Sequence, residues 1–269
     1  MLVQKYKDML GKKSVIRELS EYATARGKEI GYENVFDYSL GNPSVPAPDE
    51  YTDCLIKMLS EKDPMTLHGY SPTMTLPGAK KAVADNLAER FGIPYKPEHV
   101  FMTSGAAGAI SHAVRMISEP GDEILTFAPF FPEYHPYIDL SGAVLKVVPP
   151  QTKDFQINFD EMEKMMNPKV MAVLVNTPNN PTGIVYSPET LEMLATILKK
   201  KEAEYGHDIY LISDEPYREI VFDGGEVPFP AKYYDKTITC YSWSKSLSVP
   251  GDRIGYVAVN PKCPEAETL

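Results

Sequence analysis

The sequence predicts an α/β fold with a mostly parallel central sheet, and three observations predict it. From His99 onward short apolar runs of strand length recur; helix-like runs separate them; and a polar loop rich in Gly, Pro, Ser or Asn follows most of them. With 269 residues, 43% hydrophobic and 24% charged, the chain has an ordinary globular composition and can bury one large domain, or a large and a smaller one. Its 24 prolines mark many fixed loops, and loops held by a rigid scaffold are where chemistry is usually displayed.

Taken in order, residues 1–30 read as one or two short amphipathic helices, with Met9, Val15, Ile16 and Leu19 as the positions expected to be buried against the main body or a partner. Two Gly/Pro-dense stretches follow, YSLGNPSVPAPDEY and, after a helical segment, HGYSPTMTLPG. Aromatic and apolar residues interrupt their turn formers, so both are expected to be ordered loops. From Pro77 the spacing of Val83, Leu87 and Phe91 predicts a helix that Gly92 and Pro94 close. Strands are expected at HVFMT, DEILTF, AVLKVV, VMAVLVN, DIYLIS and TITCYS, with helices beginning near Ala106, Glu133, Phe159 and Ser187. The last is the best signalled: Ser187 can cap it, Pro188 suits its first turn, and Glu189 complements the positive end of its dipole.

The formal net charge of −10 argues against nucleic acid or an anionic membrane surface as partner. Cys54, Cys240 and Cys263 are far apart and odd in number, which disfavours a disulfide framework or a zinc knuckle, so no metal site is expected. The opening segment lacks the apolar core of a secretory signal, and no apolar stretch reaches membrane-spanning length. The cytoplasm is the expected compartment.

In parallel sheets ligands lie beyond the carboxyl ends of the strands, and there the sequence puts TSGAAGA, APFFPEY, NTPNNPTG, SDEPYRE and SWSKSLSVPGDR. Taken alone, each has a plain structural reading. Small residues at Ala106 and Ala107 pack closely as often as they offer amides to an anion. Pro181 and Gly183 make a turn, although Asn180 is also placed to hydrogen-bond a ligand oxygen. Asp214 or Glu215 can pair with a structural arginine, and a lone lysine such as Lys245 is ordinarily a solvated charge. Together the five loops offer an amine for an imine, a carboxylate for a pyridinium nitrogen, a phenol and an amide for a ring hydroxyl, a flat ring for stacking, and amide, hydroxyl and guanidinium donors for a phosphate. Pyridoxal 5′-phosphate uses all of these.

Here the sequence resembles the class I/II aminotransferases of the aspartate aminotransferase fold family, in motifs distributed from about Tyr38 to Asn260: NNPTG, DEPY, SxSK and GDRIGY, in family order and spacing. The resemblance implies fold type I, a three-layer α/β/α large domain of the pyridoxal phosphate-dependent transferases. It implies that Lys245 forms the internal aldimine, that Asp214 pairs with the pyridine nitrogen, and that Tyr217 and Asn180 hydrogen-bond the ring oxygen. Phe131 falls where the family stacks an aromatic ring. The phosphate is implied to lie on the amides of Ala106 and Ala107, the hydroxyls of Ser242 and Ser244, and Arg253. Tyr70 resembles the tyrosine that reaches the cofactor of the other subunit, which implies a homodimer, and Gly41, with Asn180, borders the substrate carboxylate. The catalytic set is then Lys245, Asp214 and Tyr217, moving an amino group between an α-amino acid, aspartate or a related one, and a 2-oxo acid.

The implied organisation is an N-terminal helical arm and linker over 1–45, a cofactor-binding large domain over 46–260, and at 261–269 the start of a smaller C-terminal domain. In the family that domain carries the arginine that grips the α-carboxylate; no such residue is assigned in this sequence, which reads as a fragment of a longer protein. The same ring-binding residues also serve C–S lyases and decarboxylases of this fold, and a sensor domain derived from it is a further alternative.

Overall fold

The computed structural model describes residues 4, 7, 15–70, 77–222 and 224–269. The chain divides into two compact units, Met1–Val45 and Pro46–Leu269. In the first, helix α1 (Val15–Ile30) leads into a 3-10 turn at Tyr32–Asn34, where the Asn34 amide donates to the Ile30 carbonyl at 2.7 Å. Gly27 lets the Tyr32 ring lie against α1, since a Cβ there would stand 2.4 Å from the ring. Val15, Ile16 and Leu19 are 67%, 36% and 52% exposed in the single chain, so of the two coverings expected for them, the main body or a partner, neither is seen among the described residues. Met9 lies outside the described residues.

The second unit carries the sheet. Helices α2 (Asp49–Glu61), α3 (Pro64–His68) and α4 (Pro77–Phe91) precede strand β1 (Val100–Thr103). Alternation then runs α5 (Gly105–Ile117), β2 (Glu123–Phe127), α6 (Tyr134–Asp139), β3 (Val144–Val148), α7 (Phe159–Met165), β4 (Val170–Asn176), α8 (Pro188–Tyr205), β5 (Tyr210–Asp214), β6 (Thr237–Ser242) and β7 (Gly255–Val259). The expected strands and helices are all present, and the loop at Tyr38–Tyr51 ends at α2. Of the HGYSPTMTLPG loop, residues 71–76 lie outside the described residues. Strand order is β1-β7-β6-β5-β4-β2-β3, with β7 antiparallel to both its neighbours and every other pairing parallel.

The period-two alternation of strands separates two cores. Ala172 and Leu174 of β4 and Ile212 of β5 pack with Ala109, Ile110 and Ala113 of α5 and Ile138 of α6. Val173, Val175 and Leu211 point to the other face, onto Met162 of α7 and Leu191, Leu194 and Leu198 of α8. Three α/β/α layers follow, and the unbroken apolar run VMAVLV is explained by burial on both faces. A third cluster joins Val83, Ala84 and Leu87 of α4 to Val100, Tyr241, Tyr256 and Ala258 at the β1-β7-β6 edge. Helix α8 starts as its residues dictate: the Ser187 hydroxyl accepts from the Thr190 amide at 3.2 Å, and Gly206, at φ +77°, ends it. The second unit runs to Leu269, with Cys263 and Ala266 buried in the α5-side core.

Candidate functional site

The loops at the carboxyl ends of β1, β4, β5 and β6, with the segment ahead of α6, surround one cavity. Ala106, Ala107, Phe131, Asn180, Asp214, Tyr217, Ser242, Ser244, Lys245 and Arg253 all line it, joined by Ile110, Tyr137, Asn176, Pro216 and Pro250. Tyr70 is not among the lining residues and is fully exposed. Gly41 belongs to the other compact unit.

Asp214 ends β5 and is buried. The Tyr134 hydroxyl, on the first turn of α6, donates to its Oδ2 at 2.6 Å, while Oδ1 is buried with no hydrogen-bond partner among the described residues. Burial pushes the carboxyl up to about 7; the Tyr134 bond opposes the rise and the neighbouring Glu215 adds to it. A carboxylate oxygen left this way on a cavity wall is costly until a donor or cation meets it. Glu215 has a different partner: Arg218 reaches it at 2.8 Å, donates to the Tyr256 hydroxyl at 3.0 Å, and lies over the rings of Tyr241, Phe91 and Phe229 at 4.6, 5.1 and 5.5 Å. Between the two acids, then, Glu215 takes the structural arginine and Asp214 faces the cavity.

At the end of β4 the Asn180 amide donates to the Tyr217 hydroxyl oxygen at 3.1 Å, which leaves the tyrosine's own proton to be given to an acceptor in the cavity. Burial and the Asp214 charge raise the Tyr217 phenol above its usual range, and the Asn180 bond opposes them. Phe131 meets Tyr134 edge-on, with centroids 5.8 Å apart at 83°, so one tyrosine steadies both the stacking ring and the acid.

Helix α5 supplies the anion end. Ala106 and Ala107 stand in its first turn, where backbone N–H groups have no partner within the helix. Arg253, in the left-handed region at φ +56°, donates to the carbonyls of Pro250 at 2.8 Å and Ser104 at 3.3 Å. This convergence requires two glycines. A Cβ on Gly105, at φ +77°, would lie 2.6 Å from the Arg253 guanidinium, and one on Gly255 would lie 2.4 Å from the Tyr241 carbonyl and 2.7 Å from Gly105. Lys245 is partly buried in the β6–β7 connection, and desolvation lowers its ammonium pKa. Next to it, Ser246 shares a 2.8 Å hydrogen bond with the Tyr241 hydroxyl, which also donates to Glu219 at 2.7 Å.

Sequence reasoning missed Tyr134, Tyr137 and Asn176. A polar residue ending the apolar run VMAVLVN was a usable signal for Asn176; nothing in PFFPEYHPY separates Tyr134 from Tyr137. The donor set fits pyridoxal 5′-phosphate on two counts: the partnerless Asp214 Oδ1 suits a ring N–H, and the α5 amides with Arg253 suit a phosphate.

Comparison with known proteins agrees with the site. The family described as aminotransferase class I and II, whose members depend on pyridoxal phosphate, matches residues 33–266. The aspartate aminotransferase of Thermotoga maritima is 31% identical over 233 residues, covering 86% of this chain and 59% of that protein. A probable aspartate/prephenate aminotransferase of Aquifex aeolicus is 31% identical over 249 residues, covering 90% of this chain and 60% of that protein. The crystal structure of an aminotransferase from Eubacterium rectale superposes with a TM-score of 0.94 at 43% identity, over 100% of this chain and 69% of that one. The chain thus spans about 60% of the length of the curated relatives it matches. With fold, site and sequence in agreement, this chain belongs to the class I and II aminotransferase family.

Proposed function

We propose that the protein holds pyridoxal phosphate on Lys245 and, with it, moves an amino group between an α-amino acid, aspartate or a related one, and a 2-oxo acid. The observation that carries this reading is the buried Asp214, one oxygen tied to Tyr134 and the other without a partner among the described residues, on the wall of the cavity that Lys245 lines. When bound, the cofactor supplies the electron sink that makes the substrate Cα–H acidic.

The chain's residues do the rest. Lys245 Nζ, made less basic by partial burial, is the nucleophile that holds the cofactor and, once the substrate amine takes its place, the base that carries the proton from the substrate Cα. Asp214 Oδ1 would accept a hydrogen bond from the ring N–H and so keep the proton on the ring nitrogen, a fixed negative charge where positive charge is needed. Tyr217 and Asn180 donate to the ring oxygen, Phe131 stacks on the ring, and Ala106, Ala107, Ser242, Ser244 and Arg253 hold the phosphate. Asn180 also borders the substrate carboxylate. The domain reading belongs to the same proposal: 46–260 is the cofactor-binding large domain, and 261–269 leads toward a smaller one.

The working protein is a cytoplasmic homodimer in which Tyr70 reaches the partner subunit's cofactor; its full exposure in the single chain supports that role. Among the described residues no helix is long and apolar enough to cross a membrane.

The test is incubation of the protein with amino acids and 2-oxoglutarate, alongside Lys245→Ala. Glutamate formation that disappears in the variant, together with the visible cofactor absorbance, is the expected result. Pyruvate and ammonia in place of glutamate, or a variant that keeps both absorbance and turnover, would sink the assignment.

A further inference from the structure

We infer that Asn176 is a positioning residue of the cofactor site, whose one side-chain amide locks the loop carrying Asn180 to the strand end carrying Asp214. The inference rests on the cofactor reading above and adds to it a residue that touches neither end of the chemistry directly. Asn176 is the last residue of β4, is buried, and stands in register opposite Asp214 of β5. Its Nδ2 donates to the Asp214 carbonyl at 2.9 Å, and its Oδ1 accepts from the Asn180 amide at 2.6 Å.

Both partners are main-chain groups at the point where the β4–β5 ladder runs out, so the side chain supplies the bonds that a further ladder residue would have made. The two residues it holds carry the ring-oxygen donor and the ring-nitrogen acceptor. One rigid amide therefore sets the spacing between the residue that would meet the ring oxygen and the residue that would meet the ring nitrogen. Only a neutral amide of this length does both jobs: aspartate keeps the acceptor and loses the donor, glutamine moves both by a methylene, and alanine offers neither.

Two variants of the full chain test this, with two readouts. In the cofactor-free protein, amide hydrogen exchange at Asn180 reports the lock itself; an absorbance titration with pyridoxal phosphate reports its consequence. For Asn176→Ala, exchange at Asn180 is expected to quicken, with the Val173 and Leu211 amides unchanged, and cofactor affinity to fall about ten-fold, the scale of one buried hydrogen bond. For Asn176→Asp, which preserves shape and the acceptor, Asn180 stays protected while affinity still falls, because two oxygens then face each other where N–H···O stood. Wild-type affinity in both variants overturns the inference, and so does unchanged Asn180 protection in the alanine variant. A wild-type protein that binds no pyridoxal phosphate fails the cofactor reading instead, and the exchange data then still decide whether the lock exists.

Discussion

Asp214 is a buried acid whose charge is stabilised by one hydrogen bond when two would fit, and its titration follows from that. Its carboxyl is raised from 3.8 to about 7 in the fold. Between those values the folded protein keeps a proton that the unfolded chain has released, so stability is lost as pH rises through the window, by a ceiling on the order of 4 kcal/mol. The groups around it, Tyr134, Tyr137, Tyr217, Cys240 and Glu215, are neutral or negative and none can repay the charge. A cationic ring nitrogen at Oδ1 can. Pyridoxal phosphate is therefore expected to raise the melting temperature more at about pH 8 than at about pH 5.5; an equal rise at both, read by differential scanning fluorimetry, would count against Asp214 as the ring partner. Tyr134→Phe removes the bond that holds the carboxyl down. Several-fold weaker cofactor binding is expected near pH 7, where more of the acid is then protonated, and a smaller loss at higher pH, where less of it is.

Among the elements, the β6–β7 connection matters most, because a parallel sheet switches there to an antiparallel return. That return brings Lys245 and Arg253 back over the carboxyl end of β6, and it is possible because Gly255 admits the Tyr241 carbonyl and Gly105. The Glu215–Arg218 pair braces the same edge from beneath. Both members are buried, at side-chain exposures of 1% and 2%, so Arg218→Met leaves an unpaired acid inside. A destabilisation of about 3–5 kcal/mol is expected in urea unfolding. A loss below about 1 kcal/mol would show that Glu215 simply takes up a proton. Far from the cavity, Ser187→Ala removes the cap of α8 and is expected to cost about 1 kcal/mol with cofactor affinity unchanged. That helix was legible because Ser187, Pro188 and Glu189 each signal a start through local physics. Strand β7 was not: GYVAV shares its first two residues with the GDRIGY motif, which was read for its chemistry, and its pairing with β1 depends on residues more than a hundred positions away.

At the scale of the molecule, the single chain leaves apolar surface uncovered. On α2, Leu55, Ile56, Met58 and Leu59 are 42%, 58%, 40% and 65% exposed, and Tyr70 stands clear of the chain. Helices seldom leave such a stripe in water without a partner. Light scattering coupled to gel filtration is expected to give twice the 30.0 kDa chain mass. A monomer that still binds the cofactor at full affinity would remove Tyr70 from the site.

The sequence alone determined the α/β class, the order of the strands it recognised along the chain, and many of the residues that line one cavity, because hydrophobic periodicity and loop chemistry are local properties written residue by residue. It also singled out Asp214 and Lys245 without showing which acid was free to act. Only the tertiary structure decided that: Arg218 lies three residues from Glu215 and four from Asp214, and one turn of backbone gives it to Glu215. Tyr134 meeting Asp214 and Asn176 joining two strand ends were decided there too, since a hydrogen bond across 80 or 38 residues depends on how layers stack and strands register, which no local pattern encodes.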